Sequence, residues 1–186
     1  MPRSGHEARE RLEVAALELY RQRGFDRTTT AQIAERAGVT ERTFFHHFPD
    51  KREVLFGREE RLRGLLVAAV HDAPGESAPL DVLLGAFRSI DGFMEEGWSY
   101  AQLRNGVIAA APALREREAA KLSMLADALA SALVERGTPT RRATLAAHAA
   151  VAAFTVAALA WYRDPSLSLG VQLVQAFDDL RGACAP

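Results

Sequence analysis

Cysteine is nearly absent from this chain, with Cys184 the only one among 186 residues. A single thiol excludes a disulfide framework and a cysteine-rich zinc site. β-branched aliphatic residues are also few, with 12 valines and 3 isoleucines against 35 alanines and 22 leucines, and this balance favours helices over a large sheet. Neither sign of charge is in excess, since 23 basic and 24 acidic residues give a net charge of −1. Any basic surface must therefore be local.

One run lacks charged residues altogether. Residues 143–162 contain no Asp, Glu, Lys or Arg, and this stretch has the length of a membrane span. Ten of its twenty residues are alanine, and one histidine and two threonines interrupt it, a pattern that is also typical of a helix buried on all sides in a soluble bundle. The first seven residues are polar and contain no apolar signal core. We therefore expect a cytoplasmic protein with no membrane partner.

Apolar residues recur at helical spacing along the whole chain. Residues 12–20 place leucines, alanines and a tyrosine on one face, and Gly24 ends this first helix. Residues 72–79 hold two prolines and a glycine and form the clearest linker. The sequence thus predicts an all-α protein of about nine helices, with domains at 8–68 and 72–186. After the first helix, the predicted helices lie at 29–37, 40–47, 50–69, 80–97, 99–111, 113–136, 141–163 and 167–182.

Residues 29–48 form two short predicted helices joined by a tight turn at residues 37–39. Thr29 and Gln32 make a capping box at the start of the first helix, and Thr40 is the expected N-cap of the second. Gly38 permits the left-handed backbone that the turn needs. This is the helix-turn-helix arrangement, at about residues 30–49, in which the second helix enters the major groove of DNA.

The second of these helices offers side chains suited to DNA. Arg42 can pair bidentately with guanine, Thr43 can contact a thymine methyl group or a phosphate, and His46 can donate to either. Lys51 lies just beyond the helix, where it can pair with a phosphate.

Two short helices around a glycine also occur in many all-helical proteins. Phe44 and Phe48, spaced i and i+4, are expected to serve the core rather than a base-stacking surface. The alternative function is therefore a helical small-molecule carrier or interaction protein with a vestigial DNA-binding head. The presence of Arg42, Thr43, His46 and Lys51 favours DNA binding over this alternative.

The chain resembles the DNA-binding domain of TetR-type transcriptional regulators over about residues 9–56. The resemblance rests on residues 9–20, 23–26, 28–29 and 33–40, and on the run Thr43-Phe-Phe-His-His-Phe-Pro-Asp-Lys51. It implies a regulator that binds a palindromic operator on double-stranded DNA as a homodimer, and the family's usual mechanism is repression relieved by a ligand. It also implies a set of DNA-binding residues: Thr29, Thr30, Thr40, Arg42, Thr43, Phe45, His46 and Lys51.

Two residues depart from the family's pattern. Phe45 stands where the family usually has tyrosine, which removes a hydroxyl contact to phosphate. Ala31 stands where several members place arginine or another polar side chain, which weakens base reading from the first helix of the pair. We therefore expect specificity to depend on residues 40–46.

The last two long helices are predicted to form the homodimer, as in the family. The alternative is that the small residues of these helices pack only inside the monomer. The expected partner surface consists of Ala146, Ala149, Ala150, Ala153, Ala157 and Ala160, with Leu173, Phe177 and Leu180 adding apolar area.

Residues 80–124 carry more large apolar side chains than a thin helix layer needs, and such side chains can line a cavity. The alternative is that they fill the core. The run Pro112-Ala-Leu-Arg-Glu-Arg117 before a long helix resembles the TetR-type subgroup with an acyl-CoA-like ligand-binding domain, as in mycofactocin-system regulators. That resemblance favours a small hydrophobic effector such as a long-chain acyl-CoA. The predicted ligand-binding residues are Phe87, Ile90, Phe93, Met94, Trp98, Leu103, Met124 and Arg104, with Arg88 and Arg115 as further candidates for an anionic head group.

No motif in the sequence predicts an enzyme. There is no glycine-rich phosphate loop of the Walker or dinucleotide type. Residues 97–101 are one residue short of a hydrolase elbow and follow no strand. The five histidines show no metal-ligand spacing. We therefore expect no catalytic site, no metal and no cofactor.

Overall fold

A computed structural model of the chain describes residues 3–75 and 77–183, so Cys184 lies outside the described residues. The described part is all-α, as predicted, with ten α-helices and one 3-10 helix, Glu53–Phe56. The α-helices are α1 (Arg3–Arg23), α2 (Thr30–Arg36), α3 (Glu41–His47), α4 (Glu59–Asp72), α5 (Pro79–Ser89), α6 (Asp91–Glu96), α7 (Trp98–Ala110), α8 (Pro112–Glu135), α9 (Thr140–Arg163) and α10 (Leu169–Ala183).

Two predicted helices are each divided in the structure. The predicted helix over 80–97 is interrupted at Ile90, whose φ of −97° and ψ of 5° separate α5 from α6. The predicted helix from Asp50 is wrong in its first part. The Asp50 carboxylate accepts hydrogen bonds from the backbone N–H groups of Arg52 and Glu53, and the chain then forms the 3-10 helix. The α-helical part begins only at Glu59, after Gly57.

Gly57 marks a close approach to α1. A Cβ atom at this position would lie in close contact with the ends of the Glu13 and Arg9 side chains. Arg9 Nη2 also donates to the Gly57 carbonyl oxygen at 3.2 Å. The chain after α3 is thus held against α1 through the hydrogen bond from Arg9 to the Gly57 carbonyl oxygen.

The described chain consists of two compact units. Unit 1 contains residues 1–59 and Ser99–Ala119, and unit 2 contains residues 60–98 and 120–186. These units differ from the predicted domains at 8–68 and 72–186, because most of α7 and the start of α8 belong with the N-terminal helices. Residues 99–119, a later segment of the chain, thus pack with the helix-turn-helix in unit 1.

The core of unit 1 is formed by α1, α2, α3 and the 3-10 helix, together with the later segment. Leu12, Ile33 and Phe44 are completely buried at its centre. Phe48 is also buried, which confirms that the phenylalanines at 44 and 48 serve the core. Ile108 and Leu114 of the later segment belong to the same apolar cluster.

The core of unit 2 is formed around α9. Phe87 of α5 stacks on Phe154 of α9, with ring centroids 4.7 Å apart and planes inclined by 13°. By length and composition α9 could cross a membrane, but half of its most apolar stretch is buried inside the protein. The helix is therefore explained as the central helix of the core of unit 2.

The small residues of α9 mostly face this core. The prediction that they form a partner surface is wrong for Ala146, Ala150, Ala153 and Ala157, which are buried in unit 2 of a single chain. It is also wrong for Leu173 and Phe177 of α10, which are completely buried. Because α10 packs closely along α9, the alanines accommodate a helix of the same chain. Ala149, Ala160 and Leu180 are only partly buried.

Candidate nucleic-acid interface

Local hydrogen bonds define both helices of the helix-turn-helix. Thr29 Oγ1 accepts from Gln32 N at 3.2 Å, and the Gln32 side chain accepts from Thr29 N at 3.1 Å, which confirms the capping box. Thr40 Oγ1 accepts from Thr43 N at 3.1 Å as the N-cap of α3. Gly38, with φ +67°, takes the predicted left-handed conformation between them.

The seven residues of α3 divide into a buried and an exposed face. Phe44 points into the core, whereas Glu41, Arg42, Phe45 and His46 are exposed. Phe45 is 53% exposed, although it is large and apolar. Its ring meets the Phe44 ring edge-on, with centroids 5.4 Å apart. The exposed face therefore presents a carboxylate, a guanidinium group, a phenyl ring and an imidazole, and the buried Phe44 supports it from below.

The two adjacent histidines of α3 occupy different environments. His46 is exposed, whereas His47 is partly buried and its ring lies 5.2 Å from that of His46. Burial lowers the pKa of His47, and the charges of His46 and Arg9 lower it further. Of the two imidazoles, His46 is therefore the one that is fully presented at the exposed face.

Lys51 binds the protein itself. Its ammonium group donates to the carbonyl oxygens of Phe25 and Thr28, each at 2.9 Å, and lies 4.2 Å from the centre of the Phe25 ring. Tyr20 completes the cluster, because its hydroxyl group donates to the Lys51 carbonyl oxygen at 2.5 Å. Burial raises the pKa of Tyr20, which keeps that donor protonated. Lys51 thus fixes the loop that leads into the N-cap Thr29.

A side-chain hydrogen bond joins the first residues of α2 and α3. Thr30 Oγ1 donates to Glu41 Oε1 at 2.5 Å. The hydroxyl proton of Thr30, a predicted DNA-binding residue, is therefore engaged by Glu41. Sequence reasoning did not single out Glu41, although its position directly after the N-cap Thr40 and before Arg42 could have drawn attention to it.

The predicted ligand-binding residues are divided between the units. Phe87 and Ile90 are buried in the core of unit 2, and Met94 and Trp98 are partly buried against it. Phe93 is also partly buried in unit 2, and the Arg61 guanidinium lies 5.2 Å from the centre of its ring. Met124 is 48% exposed on α8 in unit 2, and Leu103 is 37% exposed in unit 1.

Arg104 also lies in unit 1, where its guanidinium group is engaged. It donates to the Leu55 carbonyl oxygen at 2.6 Å and to the carboxylates of Glu59 and Glu118, each at 3.1 Å. The same group lies 4.7 Å from the centre of the Phe56 ring. Arg104 thus joins α7 and α8 to the 3-10 helix and the start of α4. Its side chain has a structural role that the sequence did not reveal.

An apolar stripe runs along the exposed side of α9. Leu145 is 66% exposed and Val156 is 62% exposed, and Ala149 and Ala152 lie between them on the same face. The spacing of four, three and four residues is that of a seam between two packed helices. We call these four residues the α9 stripe. Beside it, Leu145 and Ala149 also line an open groove with residues 77–80, Arg141, Arg142 and Leu180.

Metal coordination has no candidate in the described residues, because no group of three or more His, Cys, Asp or Glu side chains comes together there. The remaining candidate binding surfaces described above are the exposed polar face of α3 and the α9 stripe.

Both the N-terminal and the C-terminal part of the chain match known protein families. Residues 14–56 match the family described as bacterial regulatory proteins, tetR family, and residues 77–185 match the MftR C-terminal domain. The regulator TcmR of Streptomyces glaucescens is 38% identical over 89 residues, or 48% of this chain. The chain spans 39% of the length of that curated relative.

Solved structures of similar fold cover nearly the whole chain. Thermus thermophilus FadR, described as a TetR family transcriptional repressor in complex with lauroyl-CoA, is 25% identical with a TM-score of 0.60, covering 96% of this chain and 95% of its own. The complex of SmeT, the repressor of a Stenotrophomonas maltophilia efflux pump, with triclosan is 22% identical with a TM-score of 0.63, covering 95% and 90%.

Proposed function

Because the chain belongs to the TetR family of bacterial transcriptional regulators and carries an MftR-type C-terminal domain, we propose that it is a cytoplasmic repressor released from its operator by a small hydrophobic effector. The observation that carries this proposal is the exposed face of α3, which presents four functional side chains on a buried support. The sign of regulation is supported by the likeness to a repressor of the same family over nearly the whole chain.

The proposed DNA contacts follow from exposure. Arg42 and His46 are free to reach base edges, and Arg42 pairs with guanine. Phe45 lies against sugar or a thymine methyl group, because it has no hydroxyl for phosphate. Thr40 and Thr43 share a hydrogen bond of 2.9 Å between their hydroxyl oxygens and contact the backbone beside the helix start. Thr29, also exposed, contacts the backbone at the start of α2.

The homodimer is proposed to form through the α9 stripe rather than through the buried alanines. A seam of exposed apolar residues is costly in water and is covered when a second copy of the same helix packs on it. Val171 of α10 is 43% exposed and adds apolar area. A symmetric dimer gives each operator two heads, which is what a palindrome requires.

The effector is proposed to bind in unit 2 near Trp98 and Met94. The Trp98 Nε1–H is buried and has no hydrogen-bond partner among the described residues, and its ring lies 6.5 Å from that of Trp161. A buried donor without an acceptor favours a ligand that supplies one. A long-chain acyl-CoA has both a carbonyl acceptor and an apolar chain, and Phe87 and Ile90 are buried in the apolar core of the same unit.

Titration of the operator complex with acyl-CoAs of several chain lengths tests this function. The expected result is release of DNA at one range of lengths, together with a change in tryptophan fluorescence that a Trp98→Phe variant loses. Trp161→Phe serves as the matched control. Transcription from the operator-bearing promoter should rise on release. Unchanged DNA binding and unchanged thermal stability at every length would contradict the acyl-CoA, and a fall in transcription on release would contradict repression.

A further inference from the structure

The hydrogen bond between Thr30 and Glu41 fixes a carboxylate at the exposed face of the helix-turn-helix. The bond joins residues eleven positions apart, on two different helices. Glu41 is exposed, and it precedes Arg42 on α3. The bond from Thr30 favours an orientation in which the Glu41 carboxylate stays beside the start of α2. A negative charge is thus presented on the face that we propose contacts DNA.

A carboxylate in this position is unfavourable for binding to DNA in general. The phosphate backbone repels it, and an ionised carboxylate can only accept hydrogen bonds. A carboxylate has about four acceptor sites, so the single bond from Thr30 leaves capacity for a donor on DNA. In the major groove the donors are the amino groups of cytosine and adenine, and acidic side chains pair with the N4 amino group of cytosine.

We propose that Glu41 is a specificity-determining residue that accepts a hydrogen bond from the N4 amino group of a cytosine in the operator half-site. Thr30 is its positioning residue. The inference rests on the proposed contact of α3 with DNA.

Glu41 acts separately from Arg42. Successive side chains on a helix point about 100° apart. Among the described residues 3–75, no ion pair joins Glu41 to Arg42. The guanidinium therefore remains available for a guanine while the carboxylate reads a different base. Each half-site should contain both a guanine that depends on Arg42 and a cytosine that depends on Glu41.

The carboxylate also makes a distinct prediction for non-cognate DNA. Its repulsion from phosphate acts on every sequence, whereas its hydrogen bond forms only at cytosine. Glu41→Gln should therefore bind random DNA more tightly, while losing its preference for cytosine. Because glutamine pairs bidentately with adenine, the preference at that position should move towards adenine.

The experiment starts from sequences selected from random DNA by the full-length wild-type protein. Binding is then measured by fluorescence anisotropy on the selected duplex and on duplexes that carry each other base at every half-site cytosine. The wild-type protein should prefer one cytosine by about tenfold or more, which corresponds to about 1.4 kcal/mol or more. Glu41→Gln should lose this preference, and Glu35→Gln, an exposed acid on α2, should keep it.

Thr30 is tested with a conservative pair of variants. Thr30→Val should reduce the cytosine preference several-fold, and Thr30→Ser, which retains the hydroxyl group, should restore it. Thermal unfolding of each variant checks that the head remains folded. A loss of preference that Thr30→Ser does not restore would overturn the positioning role.

Two outcomes would overturn the reading of cytosine by Glu41. In one, Glu41→Gln raises affinity for all duplexes by the same factor, so that the carboxylate only repels. In the other, no half-site cytosine depends on Glu41 although a guanine depends on Arg42, which leaves DNA binding by α3 intact. Absence of any sequence preference in the wild-type protein would overturn the proposed DNA contact and this inference with it.

Discussion

The exposed face of α3 is mostly polar, whereas the α9 stripe is apolar. The face of α3 carries an acid, a base and an imidazole around one exposed aromatic ring, Phe45. The α9 stripe is apolar throughout, and Leu145 and Val156 are each more than 60% exposed. A polar face suits a charged, hydrated partner with hydrogen-bonding edges, and an apolar seam suits a second helix. The two faces therefore fit different partners, DNA and a second copy of the chain.

The supports beneath the two faces also differ. Phe44 and Phe48 hold α3 from below as large, completely enclosed side chains. The buried residues of α9 are largely alanines, such as Ala150 and Ala157, and α10 packs along this helix. Large residues hold a short helix rigidly in place, whereas small residues let two long helices of one chain approach closely. The same residue type that predicted a partner surface thus serves the internal packing.

The largest expected effect comes from charging the α9 stripe. Leu145→Asp combined with Val156→Asp should raise the dimer dissociation constant by about 100-fold or more, because unpaired charges would be buried in the seam. Sedimentation velocity at several concentrations measures this change. Val14→Asp, on α1 and also about half exposed, is the control. A dimer of unchanged strength in the double variant would show that the stripe is not the interface.

Removing the guanidinium group of Arg42 from the exposed face of α3 should have the next largest effect. Arg42→Ala should cost about 1–3 kcal/mol in operator binding and relax the preference at one position of each half-site. The free energy of unfolding should stay unchanged, because Arg42 is exposed. Anisotropy titrations on operator and scrambled duplexes give the comparison. Wild-type affinity and selectivity in this variant would contradict the assignment of α3 as the recognition helix.

Lys51 distinguishes support from contact. Lys51→Met should lower the free energy of unfolding by about 1–3 kcal/mol, because the carbonyl groups of Phe25 and Thr28 lose a charged donor. Chemical denaturation measures this change, with Arg21→Met as an exposed control. Lys51 donates two of its three N–H groups to these carbonyl oxygens, so the third can reach a DNA phosphate. If Lys51 makes that contact, Lys51→Met should also reduce the slope of log affinity against log salt concentration by about one unit. Unchanged stability would contradict the structural role.

The smallest effect concerns the cap of α2. Thr29→Ala removes the acceptor for Gln32 N and should cost about 1 kcal/mol of stability, whereas Thr29→Ser should cost little. Differential scanning calorimetry compares the two variants. Equal stability of Thr29→Ala and the wild-type protein would mean that tertiary packing alone holds the start of α2.

Local chemistry explains how much of the head could be predicted from the sequence. The capping box at Thr29, the left-handed turn at Gly38 and the cap at Thr40 each depend on residues within four positions. The same rules failed at Asp50, where a plausible cap precedes a 3-10 helix, because Val54, Leu55 and Phe56 are buried against residues that are distant in the chain.

The residues beyond the head depend on distant partners. Arg104 pairs with groups 45 to 49 positions earlier in the chain, so no local pattern distinguishes it from a ligand-binding arginine. The alanines of α9 are equally ambiguous, since helical spacing identifies a face but not whether α10 or a second chain covers it. The sequence therefore predicted the helices well and the surfaces of the C-terminal half poorly.

The central claim is that this protein reads a specific operator through the exposed face of α3. The most direct measurement compares binding of the full-length wild-type protein to the intergenic DNA beside its own gene with binding to a scrambled duplex of equal length at one salt concentration. The account predicts specific binding at least about a thousandfold tighter, with two protomers for each palindromic site. Equal affinities for the two duplexes would contradict it.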